Sequence, residues 1–395
     1  RPVSRKALRM SGEMPRTADA VVVGGGIVGT AIARQLARDG VDAVLVERKA
    51  FGGAVSGASL ACLGTHMHSL DELEVLVESC ALWRSISDEL GDPFEYNRCG
   101  QLRFILREED LPVAQRWIDG ERAFGLDPEL LSPEAVRDKE PLLTGPIVAA
   151  SHSPGDATVN PFLAVRALLR DGGNAGLKAF ANTAVTGLQM DGDRVAGVQT
   201  ERGSIATGNV ILAAGPWSGQ LARHADLDLP LVPRQAQCVA SVRQPPSIRT
   251  VVGACESAGG VESGYTQIQQ AASGQILFNT VTAPAATRPG AEDRINEAPI
   301  GFVRDSIRTL TMLFPSLSEI LMLRSWVRFE AVTPDDRFLA GRLPRRGLIA
   351  AAGDNGTGFC RAPVLGRLIS RIVRGEAAMP ADTLYAPSRF AELRA

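Results

Sequence analysis

Aromatic side chains are scarce in this chain: they make up 5% of its 395 residues, with four tryptophans and three tyrosines. Together with 40 glycines and several alanine-rich stretches, that scarcity suits an α/β enzyme with many tight turns. A dominant charge is also lacking. Forty-two Lys and Arg against 44 Asp and Glu leave a formal charge of −2, which speaks against bulk electrostatic attraction to nucleic acid or to an anionic membrane. The longest apolar run, 20–33, is too short to span a bilayer and is broken by glycines. Cysteine appears without pattern. Cys62, Cys80, Cys99, Cys238, Cys255 and Cys360 form no C-x-x-C pair and no ligand rhythm, so they read as free thiols of a reducing compartment. His66 and His68 lie close together but have no third ligand candidate nearby, and no metal is expected. Residues 1–16 are basic without the apolar core of a signal peptide, and Met10 or Met14 could each be the true start. A cytoplasmic protein without a membrane span is expected.

What is present is core-forming. Residues of the AVILMFWYC set reach 45% and charged residues 22%, and at about 150 residues per domain the length suggests two to three domains. Ala20-Val21-Val22-Val23 reads as a buried strand. It runs into Gly24-Gly25-Gly26-Ile27-Val28-Gly29, and Ala31, Ile32, Leu36 and Ala37 then recur at helical spacing up to Gly40. A second apolar run, 43–46, ends in Glu47 and Arg48. Each glycine has a job in a dinucleotide site: Gly24 for the tight turn, Gly26 for approach of a pyrophosphate, Gly29 for close packing of helix on strand. The helix start favours a diphosphate, and Glu47 can accept from ribose hydroxyls. An acid rather than a basic residue at 47 favours FAD or NAD over NADP. The small-residue loop Ser56-Gly57-Ala58-Ser59, followed by Gly64, leaves room for a bulky ring and points to the flavin.

Further along, several segments recur in a familiar order: Gly155-Asp156-Ala157-Thr158-Val159-Asn160-Pro161, then Val185 within 182–187, then Val210-Ile211-Leu212-Ala213-Ala214-Gly215-Pro216-Trp217, and finally Gly353-Asp354-Asn355-Gly356-Thr357-Gly358 with Ala362, Pro363 and Gly366. With the glycine turn and Ser56–Ser59, the chain from about 18 to 390 resembles the D-amino-acid oxidase family of FAD-dependent amine oxidoreductases. Glycine oxidase, the hydrogen cyanide synthase flavoprotein subunit, and opine or hydroxyproline dehydrogenase subunits are its nearest flavours. The resemblance implies a Rossmann-type FAD-binding domain and a second, discontinuous domain on a mixed or antiparallel sheet. The expected division is 15–80, 155–225 and 335–395 for FAD, and 81–154 and 226–334 for substrate. Helices are predicted over 82–90 and 113–124, strands over 100–106 and 275–278, and a surface loop over 284–297.

The resemblance also implies the FAD contacts: Gly24, Gly26, Ile27, Val28, Gly29, Glu47, Arg48, Ser56, Ala58, Ser59, Val185, Ala213, Ala214, Gly215, Trp217 and 353–358. FAD is expected to be non-covalent, since 328–335 lacks the cysteine that monomeric sarcosine oxidases use nearby, with Cys62 and Cys360 as alternatives. Substrate-side candidates are Arg328, Glu330, Tyr265 and Arg361; Arg234 and Gln237 match a family strand near the domain junction.

One departure matters. Where the family carries a carboxylate-clamping arginine, this chain has Glu330, and Arg328 stands where glycine is usual. Residues 328 and 330 of a strand share a face. Three readings stay open: Arg328 takes over the clamp while Glu330 holds a substrate cation; the two pair with each other; or they are an exposed strand-end pair with no ligand. The implied reaction is oxidation of an amine or amino-acid C–N bond, with hydride passing to flavin N5 and the iminium product hydrolysing. Glu330 is the one carboxylate considered as a base. Oxidase and dehydrogenase are both open, as is a partner subunit carrying electrons onward; an iron–sulfur centre would lie in such a partner. Alternatives are a biosynthetic flavoenzyme acting on something other than an amino acid, and a non-catalytic flavin-binding subunit.

Overall fold

The computed structural model describes residues 13–66, 68–255, 266–279, 298–377 and 380–393. The apolar run at the start becomes the strand Ala20–Val23, all four residues buried. It sits inside a six-stranded sheet of order Leu339–Arg342, Leu348–Ala352, Val210–Leu212, Ala20–Val23, Ala43–Val46 and Lys178–Phe180. All neighbours run parallel except the first two, which form a hairpin. A parallel sheet must be covered on both faces, which is why these strands read as unbroken apolar runs. The helices Ile27–Arg38, Pro161–Asn174 and Gly358–Arg374 cover one face through Ile32, Leu36, Leu168 and Leu365. A three-stranded sheet, Val185–Asp191, Arg194–Thr200 and Gly203–Ala206, covers the other through Val195, Val198 and Ile205.

Gly24 turns the chain out of the first strand with φ of 113°, a region that glycine enters without penalty. At Gly29 a Cβ would run into the Gly24 carbonyl, so the helix can lie this close only with glycine there. The long C-terminal helix contains Pro363. Proline lacks the N–H that would reach the Phe359 carbonyl; the buried Trp83 indole donates to that oxygen instead, at 2.8 Å.

The second large sheet has eight strands in the order Met322–Val332, Val232–Arg243, Gln275–Asn279, Gln267–Gln270, Val251–Ala254, Gln101–Ile105, Ala149–Ser153 and Glu129–Leu131. It is mixed: one inner pair, 251–254 with 101–105, is parallel and the others are antiparallel. Leu102, Val239, Val252, Ile268 and Phe278 pack on the helix Ile300–Leu313. Side chains alternate across a strand, so Arg103, Gly253, Gln267, Asn279 and Cys238 face the other way. The fold is thus the expected α/β combination of a Rossmann-type sheet and a mixed sheet. The helices predicted at 82–90 and 113–124 are longer or shifted, Leu73–Leu90 and Leu111–Ala123, while the strands near 100 and 275 are Gln101–Ile105 and Gln275–Asn279. The loop expected over 284–297 lies outside the described residues. No helix of the described residues is long and apolar enough to cross a membrane.

Candidate functional site

Where the two large sheets face each other a cavity of about 970 Å³ opens, running from the glycine turn to the polar face of the eight-stranded sheet. Its first end is built by the sheet edge at which the parallel strands finish. The helix at Ile27 starts without a side chain of its own N-cap, Gly26, and the Ser56 hydroxyl accepts from the Ile27 N–H at 2.9 Å. A Cβ on Gly24 would collide with the Ala213 carbonyl, and one on Gly26 would sit 3.1 Å from Ser56 Oγ, so the turn is closed to a side chain at Gly24 and tight at Gly26. Glu47 accepts from the Gly25 N–H at 2.7 Å and from the Lys49 N–H at 2.8 Å, which fixes its carboxylate beside the turn. Arg48 stacks over Trp217 at 4.1 Å, and the Trp217 indole N–H is buried with no partner in the protein. Gly24, Gly26, Ile27, Val28, Glu47, Arg48, Ser56, Ala58, Ser59, Val185, Ala213, Ala214, Gly215 and Trp217 all line the cavity; Gly29 lies behind it, under the turn.

The opposite glycine loop, 353–358, also lines the cavity and leads into the helix Gly358–Arg374. Asn355 has φ of 46° and is held there by donating to the Gly353 carbonyl at 2.7 Å and accepting from the Thr333 N–H at 2.9 Å. Asp354 accepts from the Ala331 N–H at 3.2 Å. Burial, and then the neighbouring Glu330, push the Asp354 carboxyl up to about 7.

Glu330 and Arg328 do line the cavity together, but they do not pair. Glu330 accepts from Arg234 Nε at 2.6 Å. These two stand directly opposite each other in the register of 232–243 with 322–332, so the cross-strand neighbour takes the carboxylate. Nor is Glu330 an exposed strand end, since only 7% of it is exposed. Burial raises its carboxyl, and Arg234 opposes that rise. Arg328 is half-buried and donates to the Val327 carbonyl at 3.0 Å. Arg361 is locked by Glu72, at 2.7 and 3.1 Å, and by Tyr385 at 3.2 Å; its Nη1 is buried with no partner. Tyr265 lies outside the described residues. Both ring nitrogens of His66 are engaged, with Glu121 and Ser151 at 2.8 Å each, in a buried cluster behind the cavity wall.

Several residues not singled out for the site line the cavity on the mixed sheet: Gln101, Arg103, Gln267, Asn279 and Gln235. A signal for them exists in the alternation of polar with apolar residues, Gln101-Leu-Arg103-Phe and Gln267-Ile-Gln269, within strands that are otherwise buried.

A long cavity with a side-chain-free helix start and an acid at one end, and a second glycine loop further in, fits FAD. The orphan indole N–H of Trp217 and the tight cradle at Gly24 are features of a site shaped for a bound group. When bound, FAD supplies a two-electron hydride acceptor.

Comparison with known proteins agrees. The chain is 25% identical to a glycine oxidase of Bacillus subtilis, covering 91% of this chain and 94% of that protein. It is 26% identical to a sarcosine oxidase subunit beta of Arthrobacter, covering 96% and 92%. The solved L-proline dehydrogenase of P. horikoshii superposes with a TM-score of 0.88 at 27% identity, covering 96% and 99%. Residues 19–372 match the DAO family, described as FAD dependent oxidoreductase, and the chain belongs to that family of FAD-dependent oxidoreductases.

Proposed function

We propose that the substrate is an amine or amino acid and that the reaction is the two-electron oxidation of its C–N bond, giving an imine that hydrolyses. One observation carries this reading: a single cavity joins the dinucleotide end to a sheet face bearing guanidinium and amide side chains, Arg103, Arg328, Gln267 and Asn279. Those groups suit a small polar substrate with a carboxylate. The relatives whose names specify glycine, sarcosine and L-proline favour the same chemistry.

In this reading 24–29, Glu47, Arg48, 56–59, Val185, 213–217 and 353–358 hold FAD. The unit made of 15–80, 155–225 and 335–395 serves the cofactor, and 81–154 with 226–334 serves the substrate. The protein's share of the chemistry is to orient the substrate C–H, to receive the amine in its neutral form and to exclude water. Glu330 is too firmly held by Arg234 to favour a role as free base; its carboxylate stands against Gly356 of the 353–358 loop. Arg361, clamped by Glu72 and Tyr385, supports the wall beside that loop.

The name of the Arthrobacter relative, a subunit, favours a partner subunit or a separate electron acceptor here. A cytoplasmic setting fits cysteines that follow no pairing pattern along the sequence. Anaerobic titration of the FAD-loaded protein with D- and L-amino acids, N-alkyl amino acids, opines and carboxylate-free amines tests the reading. Bleaching of the flavin by one of these classes is expected. A flavin spectrum that none of them changes would overturn it.

A further inference from the structure

Glu330 and Asp354 bring two carboxyl groups to one stretch of the cavity wall, and a single guanidinium answers them. Arg234 donates to Glu330 at 2.6 Å. Among the described residues no cation pairs with Asp354 and no side chain donates to it; one of its oxygens accepts from the Ala331 N–H at 3.2 Å. Glycines let the loop lie this close. A Cβ on Gly356 would stand 2.8 Å from Glu330 Oε2, and one on Gly358 would stand 3.3 Å from Asp354 Oδ2. Asp354 is half-buried and lines the cavity. A group that fills the cavity therefore covers it and takes away water that would solvate its charge.

The influences on Asp354 oppose one another. From 322–332, Glu330 resists its ionisation, and Asp336, in the turn that follows, adds to the negative charge around Glu330. From 232–243, Arg234 favours ionisation, as does the start of the helix Gly358–Arg374. Arg361, in the first turn of that helix, is occupied by Glu72 and Tyr385. Burial and Glu330 prevail, and the carboxyl is pushed up to about 7. A group poised in this way changes its protonation when one more charge appears beside it.

We propose that Asp354 is a proton acceptor for flavin reduction: as the flavin takes a hydride, the Asp354 carboxylate takes a proton from solvent and becomes a carboxylic acid. The flavin then carries one more negative charge and the loop one fewer. This rests on the reading that 353–358 holds the flavin, and it is independent of which substrate supplies the hydride.

The test follows the flavin's midpoint potential, by chemical reduction against indicator dyes, in FAD-loaded wild type, Asp354→Asn and Glu330→Gln from about pH 5 to about pH 9. No amine enters the measurement, so it gives an answer whether or not the C–N reading holds. The Asp354→Asn profile is expected to run parallel to wild type below about pH 6 and to rise above it past about pH 7. The gap expected at high pH is about tenfold or more in the reduction equilibrium constant, about 30 mV for two electrons. Glu330→Gln frees Arg234 for Asp354 and is expected to move the bend in the profile to lower pH. In the infrared difference spectrum at about pH 8, reduction of wild type is expected to bring up the C=O band of a carboxylic acid that Asp354→Asn lacks. If Asp354→Asn does not fold, Asp354→Ser, which keeps an oxygen near the Ala331 N–H, carries the test. The proposal is overturned if the wild-type and variant profiles run parallel over the whole range, or if no such band appears. Parallel profiles with an unchanged flavin absorption spectrum and FAD affinity would overturn the loop reading as well. Parallel profiles with a changed spectrum or affinity would leave the flavin at the loop and remove only the proton uptake.

Discussion

Asp354 sits in an environment that its neighbours in sequence do not suggest. Inside a glycine loop it would read as a solvated turn residue. In the fold it is half-buried beside Glu330, and burial with that neighbouring charge pushes its carboxyl up to about 7. A carboxyl raised in the native state binds a proton that the unfolded chain has already released, so native stability falls as pH rises from about 4 to about 7. Asparagine at 354 keeps an oxygen for the Ala331 N–H but carries no charge. Thermal unfolding of wild type and Asp354→Asn is expected to coincide best near pH 4, with wild type falling behind up to about pH 7 and the gap constant above about pH 8. Equal pH profiles would mean that Asp354 is ionised at no cost. The residue scale is also where the sequence is least legible. Gly24, Gly26, Gly29 and Glu47 are readable because one short unit contains them all. The Arg234–Glu330 pair is not, because it depends on the register of two strands whose residues lie 96 apart in the chain. Arg103 was visible as an alternating strand residue but not as a wall of the cavity, since only the packing of Leu102 and Phe104 on the far face says which way it points.

Among the elements, strands and helices around the glycine turn follow from periodicity, and their observed bounds agree with the expected ones within a few residues. What periodicity hides is how the C-terminal helix tolerates Pro363 in its first turns. The Trp83 indole, from the helix Leu73–Leu90, takes over the Phe359 carbonyl. Trp83→Phe keeps the aromatic contact with Phe94 and Phe359 but leaves that buried oxygen unsatisfied. A loss of about 1–3 kcal/mol in denaturant unfolding is expected; a variant as stable as wild type would mean that a water replaces the indole. Gly366 marks a second dependence. The helices 27–38 and 358–374 cross there, and a Cβ would stand 2.9 Å from the Ala31 carbonyl. Gly366→Val is expected to part the helices and lower both the unfolding midpoint and FAD retention, read by calorimetry and by flavin absorbance after gel filtration. Gly375, which ends the same helix in the left-handed region with open space around it, has no such neighbour.

For the molecule as a whole, FAD acts as a structural part as much as a reagent. The cavity of about 970 Å³ lies where the two large sheets face each other, so filling it adds contacts that the unfolded chain cannot make. Ligand at about 100 times its dissociation constant adds about 2.7 kcal/mol. Stripping FAD is therefore expected to lower the unfolding midpoint, and adding it back to raise the midpoint in proportion to the logarithm of its concentration. A midpoint indifferent to FAD would place the cofactor outside this cavity.

The strand order of the six-stranded sheet has a consequence for biosynthesis. Val21 pairs with Val210, and Val210 with Leu348. As the chain leaves the ribosome, strand 20–23 soon gains its neighbour 43–46, but 210–212 on its other side, and 348–352 beyond that, are made much later. Contacts this distant in sequence form slowly. The nascent chain must wait, with one edge of its central strand unpaired, until 210–212 has been made. Its apolar segments are then natural clients for chaperones, and cofactor capture waits for the glycine loop 353–358, which lines the cavity.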